Sequence, residues 1–208
     1  MKVLCFASQK GGSGKSTLAA SVAVAARQAG ERVVVVDLDP QGSLAEWGRM
    51  REAKRIVFRE VEPSALVRWL AETRKVKAVS LVILDTAGTF GPEVDTALKQ
   101  SDFTLVPVRP SALDLRAARP TVERLKSLGR RFGFVLNATN PITQARTADA
   151  LAALEAGGLV APPVADRTDL RDAAASGLGG VEVNSAGKAA AEIAALWQWA
   201  SAQMETST

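Results

Sequence analysis

The sequence has no histidine and a single cysteine. Without histidine there is no imidazole acid–base chemistry, and a transition-metal site loses its commonest ligand. With one cysteine there is no intrachain disulfide, which fits a reducing compartment. That cysteine, Cys5, stands in an apolar run and is expected as a buried filler rather than a reactive thiol. No stretch approaches about 18 apolar residues, so no membrane span is expected. The opening M-K-V-L-C-F-A-S has a charge and an apolar run but leads straight into a glycine-rich loop. It reads as a first strand, not a leader.

Charge is nearly balanced, 26 Lys plus Arg against 22 Asp plus Glu, and the net +4 only weakly suggests an acidic partner. At 208 residues, 47% of them hydrophobic, one domain with a sizeable core is expected over 1–208.

The chain alternates between two hydrophobic patterns. Val3–Ala7, Val33–Val36, Leu81–Leu84, Phe103–Val108 and Phe132–Leu136 read as strands, with shorter ones at Ile56–Phe58 and Val160–Val164. The four consecutive valines ending at Asp37 are typical of a strand buried on both faces. Helices are expected at Ser16–Ala29, Gln41–Met50, Ser64–Lys75, Pro92–Gln100, Leu113–Ser127, Thr143–Glu155 and Ala186–Met204. Gly30 stops the first of these, and Pro120 is expected to bend or interrupt the fifth. The alternation predicts an α/β fold, a mostly parallel twisted sheet with helices on both faces, without linker or internal repeat.

Residues 9–17 read Q-K-G-G-S-G-K-S-T, between a predicted buried strand and a predicted helix. Glycines let backbone N–H groups converge on oxyanions, and the helix N-terminus adds its dipole. Gly11, Gly12, Ser13, Gly14 and Thr17 are therefore candidate phosphate binders. Lys15 is placed to reach the β- and γ-phosphates, and Ser16 to ligate Mg²⁺. Asp85 closes the strand L-V-I-L, where a phosphate-loop protein orients Mg²⁺ and its waters; the alternative is a carboxylate opening the turn toward Gly88. Asp37 and Asp39 share one face of an extended backbone. One could hold a metal-bound water while the other positions the attacking water. Alternatively, one caps the helix after Pro40. Spacing alone leaves both open.

These residues resemble a known family. K-G-G-S-G-K-S-T at 10–17 is similar to the deviant phosphate loop of the ParA/MinD superfamily. D-L-D-P-Q at 37–41 resembles its second motif, and L-V-I-L-D-T-A-G its Mg²⁺-aspartate strand. V-P-V-R-P-S-A-L-D-L at 106–115 and F-V-L-N ending at Asn137 fit the same pattern. The resemblance implies an ATPase that uses ATP and Mg²⁺, with Lys15 on the phosphates and Ser16, Asp37 and Asp85 around the metal. Asp39 would position the hydrolytic water, and Asn137 would lie beside the adenine. Lys10 would reach the partner subunit's phosphates in an ATP-dependent homodimer. Because the loop starts at residue 10, the short plasmid-partition (ParF-like) type without an N-terminal helix-turn-helix domain is implied. Such proteins work with a small centromere-binding ParB/ParG-like partner, and longer polymers are also possible in that family. Slow basal turnover, stimulated by the partner, is expected, with a cytoplasmic, nucleoid-associated location. One departure stands out: T-A-G-T-F-G follows the strand where the family often has a double-proline turn.

Arg116, Arg119 and Arg130 could line a basic surface for nonspecific DNA contacts, with Arg167 and Arg171 as further candidates. Each is equally readable as a solvated face. MinD-like relatives grip membrane with a C-terminal amphipathic helix. Here Ile193, Leu196, Trp197 and Ala200 form the apolar stripe, with only Lys188 as a cation, so core packing is expected instead. The leading expectation is DNA partition. A MinD-like or orphan ParA-like ATPase positioning another cargo is the alternative, and a small-molecule kinase or ligase on the same scaffold is a third class.

Overall fold

The computed structural model describes residues 1–52, 55–89, 91–140 and 142–206. Phe90, in the T-A-G-T-F-G turn, and Pro141 lie outside the described residues. Seven strands follow the path β3-β2-β4-β1-β5-β6-β7, and an eighth, β8, pairs separately with β6. Every pairing among the described residues is parallel. The central strands are β1 (Lys2–Phe6), β2 (Val33–Leu38), β4 (Leu81–Thr86), β5 (Phe103–Val108) and β6 (Phe132–Thr139). β3 (Val57–Arg59) and β7 (Leu159–Val160) form the edges.

Burial on both faces explains the unbroken apolar runs. In β1, Leu4 and Phe6 join one core while Val3 and Cys5 join the other. In β4, Leu81 and Ile83 face the first core, Val82 and Leu84 the second. The first core is closed by α1 (Lys15–Gln28) and α9 (Lys188–Glu205), with α2 (Ser43–Met50), α7 (Thr168–Ala175) and α8 (Gly180–Val183) alongside. The second lies under α3 (Leu66–Lys75), α4 (Pro92–Gln100), α5 (Ala112–Ser127) and α6 (Gln144–Glu155). Cys5 is fully buried, and burial pushes its thiol well above the ordinary value, so it is a filler. Ile193, Leu196, Trp197 and Ala200 are all buried, and Trp199 packs edge-on to Phe103 at 5.7 Å between centroids. The apolar stripe of α9 is thus committed to the core.

Several expectations need correction. Of the bend or interruption expected at Pro120, the interruption is absent: α5 continues through it, seated by Ala118, Thr121 and Leu125. The third helix begins as a short 3₁₀ turn, Pro63–Ala65, and becomes α-helical at Leu66. The strand expected at Val160–Val164 is two separate pieces, β7 and β8 (Val164–Ala165). Between them, Pro162 and Pro163 lack the N–H that a continuous ladder needs. The reading also missed α7 and α8. Both are short, and Gly177, Gly179 and Gly180 break the local pattern, so their packing against α1 and α9 supports them instead.

Candidate functional site

The site forms where β1, β2 and β4 end side by side. Phe6 is in register with Asp85, and Asp85 with Asp37. Two carboxylates far apart in sequence therefore stand on neighbouring strands. Thr86 Oγ1 donates to the Phe6 carbonyl at 3.0 Å and ties β4 to the start of the phosphate loop.

The loop itself is held from several sides. Gln9 N–H donates to Thr121 Oγ1 of α5 at 3.3 Å, and Lys10 N–H to Ser8 Oγ at 3.4 Å. Asn137 Nδ2 donates to the Ser13 carbonyl at 2.8 Å, 124 residues away in the chain. Gly12 and Gly14 occupy the left-handed region, at φ 73° and 97°. At Gly14 a Cβ would also collide with the Asn137 amide, so both backbone and space demand glycine. Helix α1 then starts at Lys15, aiming its free N–H groups at the loop.

A cavity of about 600 Å³ opens beneath the loop. Gly11, Gly12, Gly14, Lys15, Ser16 and Thr17 form one wall; Asp39, Pro40 and Gln41 form a second, and Ala87–Thr89 a third. Lys15 is buried, and Gly88 approaches its ammonium. Ser13 is buried, and its hydroxyl has no hydrogen-bond partner among the described residues.

Asp85 is fully buried, and neither carboxylate oxygen meets a hydrogen-bond partner of good geometry among the described residues. Burial pushes its carboxyl up to about 7; repulsion from Asp37 and Asp39 adds to this, while the neighbouring Ser16 hydroxyl and Lys15 ammonium favour the anion. An orphaned carboxylate beside a serine hydroxyl, under a phosphate-binding loop, fits a hard divalent cation sharing its shell with phosphate oxygens and water. Among the described residues no group of three His, Cys, Asp or Glu side chains is placed to hold a metal ion.

The two other carboxylates are held in different ways. Asp37, expected to support the metal shell, accepts from Asp39 N–H at 2.9 Å and from Ala45 N–H at 2.8 Å. Each of its oxygens is engaged with backbone, and it caps α2 from outside the helix. Burial pushes its carboxyl up, against the pull of those N–H groups. Asp39 bonds only its own turn, accepting from Gln41 N–H at 3.0 Å, and stays half-buried in the cavity wall.

A second hollow of about 280 Å³ shares Gly14 and Thr17 with the first. Asn137, Ala138 and Arg109 line it from the sheet, and Arg167, Leu170 and Arg171 from the α7 side. Ala138 has a left-handed φ of 54°, at the slip in β6–β8 register. The two hollows thus adjoin at the start of α1. Arg109 and Leu170 are wall residues that sequence reasoning missed; V-P-V-R-P carried a signal for Arg109, and nothing marked Leu170. Lys10 is exposed and does not line the cavity of its own chain.

The structure separates the five arginines expected at nucleic acid. Arg130 donates to the Ser101 carbonyl, Arg167 pairs with Glu192 at 2.6 Å, and Arg171 pairs with Asp166. Arg116 and Arg119 are exposed and form no ion pair among the described residues.

A glycine loop between a central parallel strand and a helix, facing a strand-end carboxylate, defines a phosphate-loop nucleotide-binding domain. The chain belongs to the CbiA family, the CobQ/CobB/MinD/ParA nucleotide binding domain, which matches residues 4–181. It is 35% identical over 116 residues to a ParA protein of Rhizobium radiobacter, covering 55% of this chain and 51% of that one. The chain thus spans about half the length of that relative. It is 29% identical over 208 aligned residues to the carboxysome distribution protein A of Halothiobacillus neapolitanus, covering 91% of each. Its fold matches MinD of Pyrococcus horikoshii in complex with Mg-ADP, at TM-score 0.79, 16% identity and 95% coverage of both chains.

Proposed function

We propose that the chain, as one domain over residues 1–208, is an Mg²⁺-dependent ATPase switch that dimerises on ATP and drives DNA partition with a centromere-binding partner. The observation that carries this reading is Asp85: a buried carboxylate with no hydrogen-bond partner of good geometry among the described residues, beside Ser16 and Lys15 at the floor of the phosphate cavity. Ser16 and Asp85 would hold Mg²⁺, which neutralises phosphate charge when bound. The loop N–H groups and Lys15 would grip the β- and γ-phosphates. Asp39, with its second oxygen free of backbone bonds, would orient the attacking water. Asn137 would act on the adenine side through the loop it already holds. Exposed Lys10 would act on the phosphates of a second copy, so that charge is neutralised only after two chains close. Slow turnover follows, because a switch that emptied itself quickly could not report on its partner. Of the five arginines considered for nucleic acid, Arg116 and Arg119 are exposed without an ion pair among the described residues and would be the ones to meet nonspecific DNA, in a cytoplasmic, nucleoid-associated protein. Among the described residues no helix is long and apolar enough to cross a membrane.

A second reading, an ATPase that positions a protein cargo, is favoured by the near-full-length match to a carboxysome distribution protein. Sedimentation with ATP–Mg²⁺, ADP–Mg²⁺ or no nucleotide tests both. An ATP-dependent dimer that binds duplex DNA and is lost in Lys10→Ala supports partition. A dimer indifferent to DNA favours the cargo reading, and a monomer in every state overturns the dimeric switch.

A further inference from the structure

On the face away from α1, the seam between α5 and α6 is not closed. Two hollows of about 380 and 330 Å³ lie along it and meet at Leu115, which lines both; together they are treated as one groove. It runs from Pro110 and Ser111 to Lys126 and Gly157. Its floor is apolar: half-buried Leu115 and Val122, and beneath them Phe134 and Leu154. At the far end Gly157 has no side chain; a Cβ there would stand 3.2 Å from the Phe134 ring.

The rim has a different character. Arg116, Arg119, Lys126 and Arg146 are exposed along it, and none forms an ion pair among the described residues. Glu123 and Asp149 are the acidic residues lining it. Four cations against two carboxylates leave the rim positive over an oily floor. A duplex backbone would use the cations, but it has nothing to place on Leu115, Val122 and Phe134. An amphipathic helix with acidic flanks uses both, its apolar stripe on the floor and its carboxylates on the rim. From Ser111 to Lys126 the groove measures about 22 Å at 1.5 Å per residue, room for about four turns.

We propose that the α5–α6 groove docks an acidic amphipathic helix of a partner protein. This goes beyond the nucleotide reading and stands without it, because the groove shares no lining residue with the phosphate cavity. Its position gives docking a route to the site. Pro110 lines the groove, and its chain neighbour Arg109 lines the hollow beside Asn137 and Gly14.

The probe is a fluorescent synthetic peptide of about 15 residues, the helical length the groove admits, with leucines at i, i+4 and i+7 spacing and glutamates flanking them. Anisotropy with nucleotide-free protein should show saturable binding. Arg116→Glu with Arg119→Glu should weaken it by about tenfold or more, equivalent to about 1.4 kcal/mol. Ala153→Trp, at an exposed groove-wall position, should block it without altering charge. Both variants should retain ATP binding, which confirms folding. No binding, equal binding by a lysine-flanked peptide, or binding unchanged in both variants overturns the proposal. Displacement of the peptide by duplex DNA would assign the face to nucleic acid instead.

Discussion

The two helix layers are seated to different depths. Every residue of α1 from Leu18 to Ala26 is buried, because the helix has the sheet on one side and α2, α7, α8 and α9 on the others. In α6 only Ala150 and Leu154 are buried, and in α5 only Ala118, Thr121 and Leu125. The deep layer carries the phosphate loop, where a fixed backbone aims N–H groups at an anion. The shallow layer leaves an apolar seam with a basic rim. Rigidity is concentrated where geometry must be held, and surface is left open where recognition needs it.

The comparison can be broken most severely on the deep side. Trp197→Ala in α9 should cost about 3–5 kcal/mol, read by urea unfolding, because a buried indole leaves a cavity that close-packed helices cannot collapse.

Next comes the buried charge. Folded Asp85 keeps its proton to about pH 7, whereas the ordinary value is 3.8. The folded state therefore binds more protons between those values. The Asp85 contribution to nucleotide-free stability should be full below its ordinary value and be lost as pH rises toward 7, by on the order of 4 kcal/mol. Asp37, whose carboxyl is also pushed up, adds to the same slope. Asp85→Asn should flatten most of this loss in unfolding curves at pH 5 and pH 8, and should also weaken Mg²⁺-dependent nucleotide binding. A slope unchanged in the variant would show that Asp85 is not its source.

Gly14→Ala should cost about 1–2 kcal/mol from left-handed backbone alone, with a further cost from pushing the Asn137 amide off Ser13. Its signature is disproportionate: calorimetry should show nucleotide binding lost while the chain still folds. The smallest effect belongs to the shallow layer. Leu115→Ala should change stability by only about 0.5–1 kcal/mol, since the side chain is already half-exposed. A cost equal to that of Trp197→Ala would mean the two layers are equally tight.

Much of the fold was legible because its signals are local. Pro92–Gln100 and Phe103–Val108 were read to the residue, since a proline entrance and an unbroken apolar run mark their limits. The strand at Phe132 was read short, because Asn137 and Thr139 look like turn residues until β8 pairs with them. Helix α7 was invisible for a related reason: a short segment is helical only where a neighbour receives its apolar face. In the site, the loop and its two lysines were plain. That Asp37 would cap α2 while Asp39 stays in the cavity was an open choice until Ala45 was seen to donate to Asp37.

The sequence by itself determined the longer elements, the double-faced strands and the phosphate loop. Each depends on residues within a few positions of one another, where periodicity and backbone preference act directly. Only the tertiary structure decided that β4 lies between β2 and β1, so that Asp85 stands beside Asp37. It likewise brought Asn137 onto Ser13 and left a basic-rimmed seam between α5 and α6. Those outcomes depend on contacts between segments far apart in the chain, and no local pattern encodes which segments will meet.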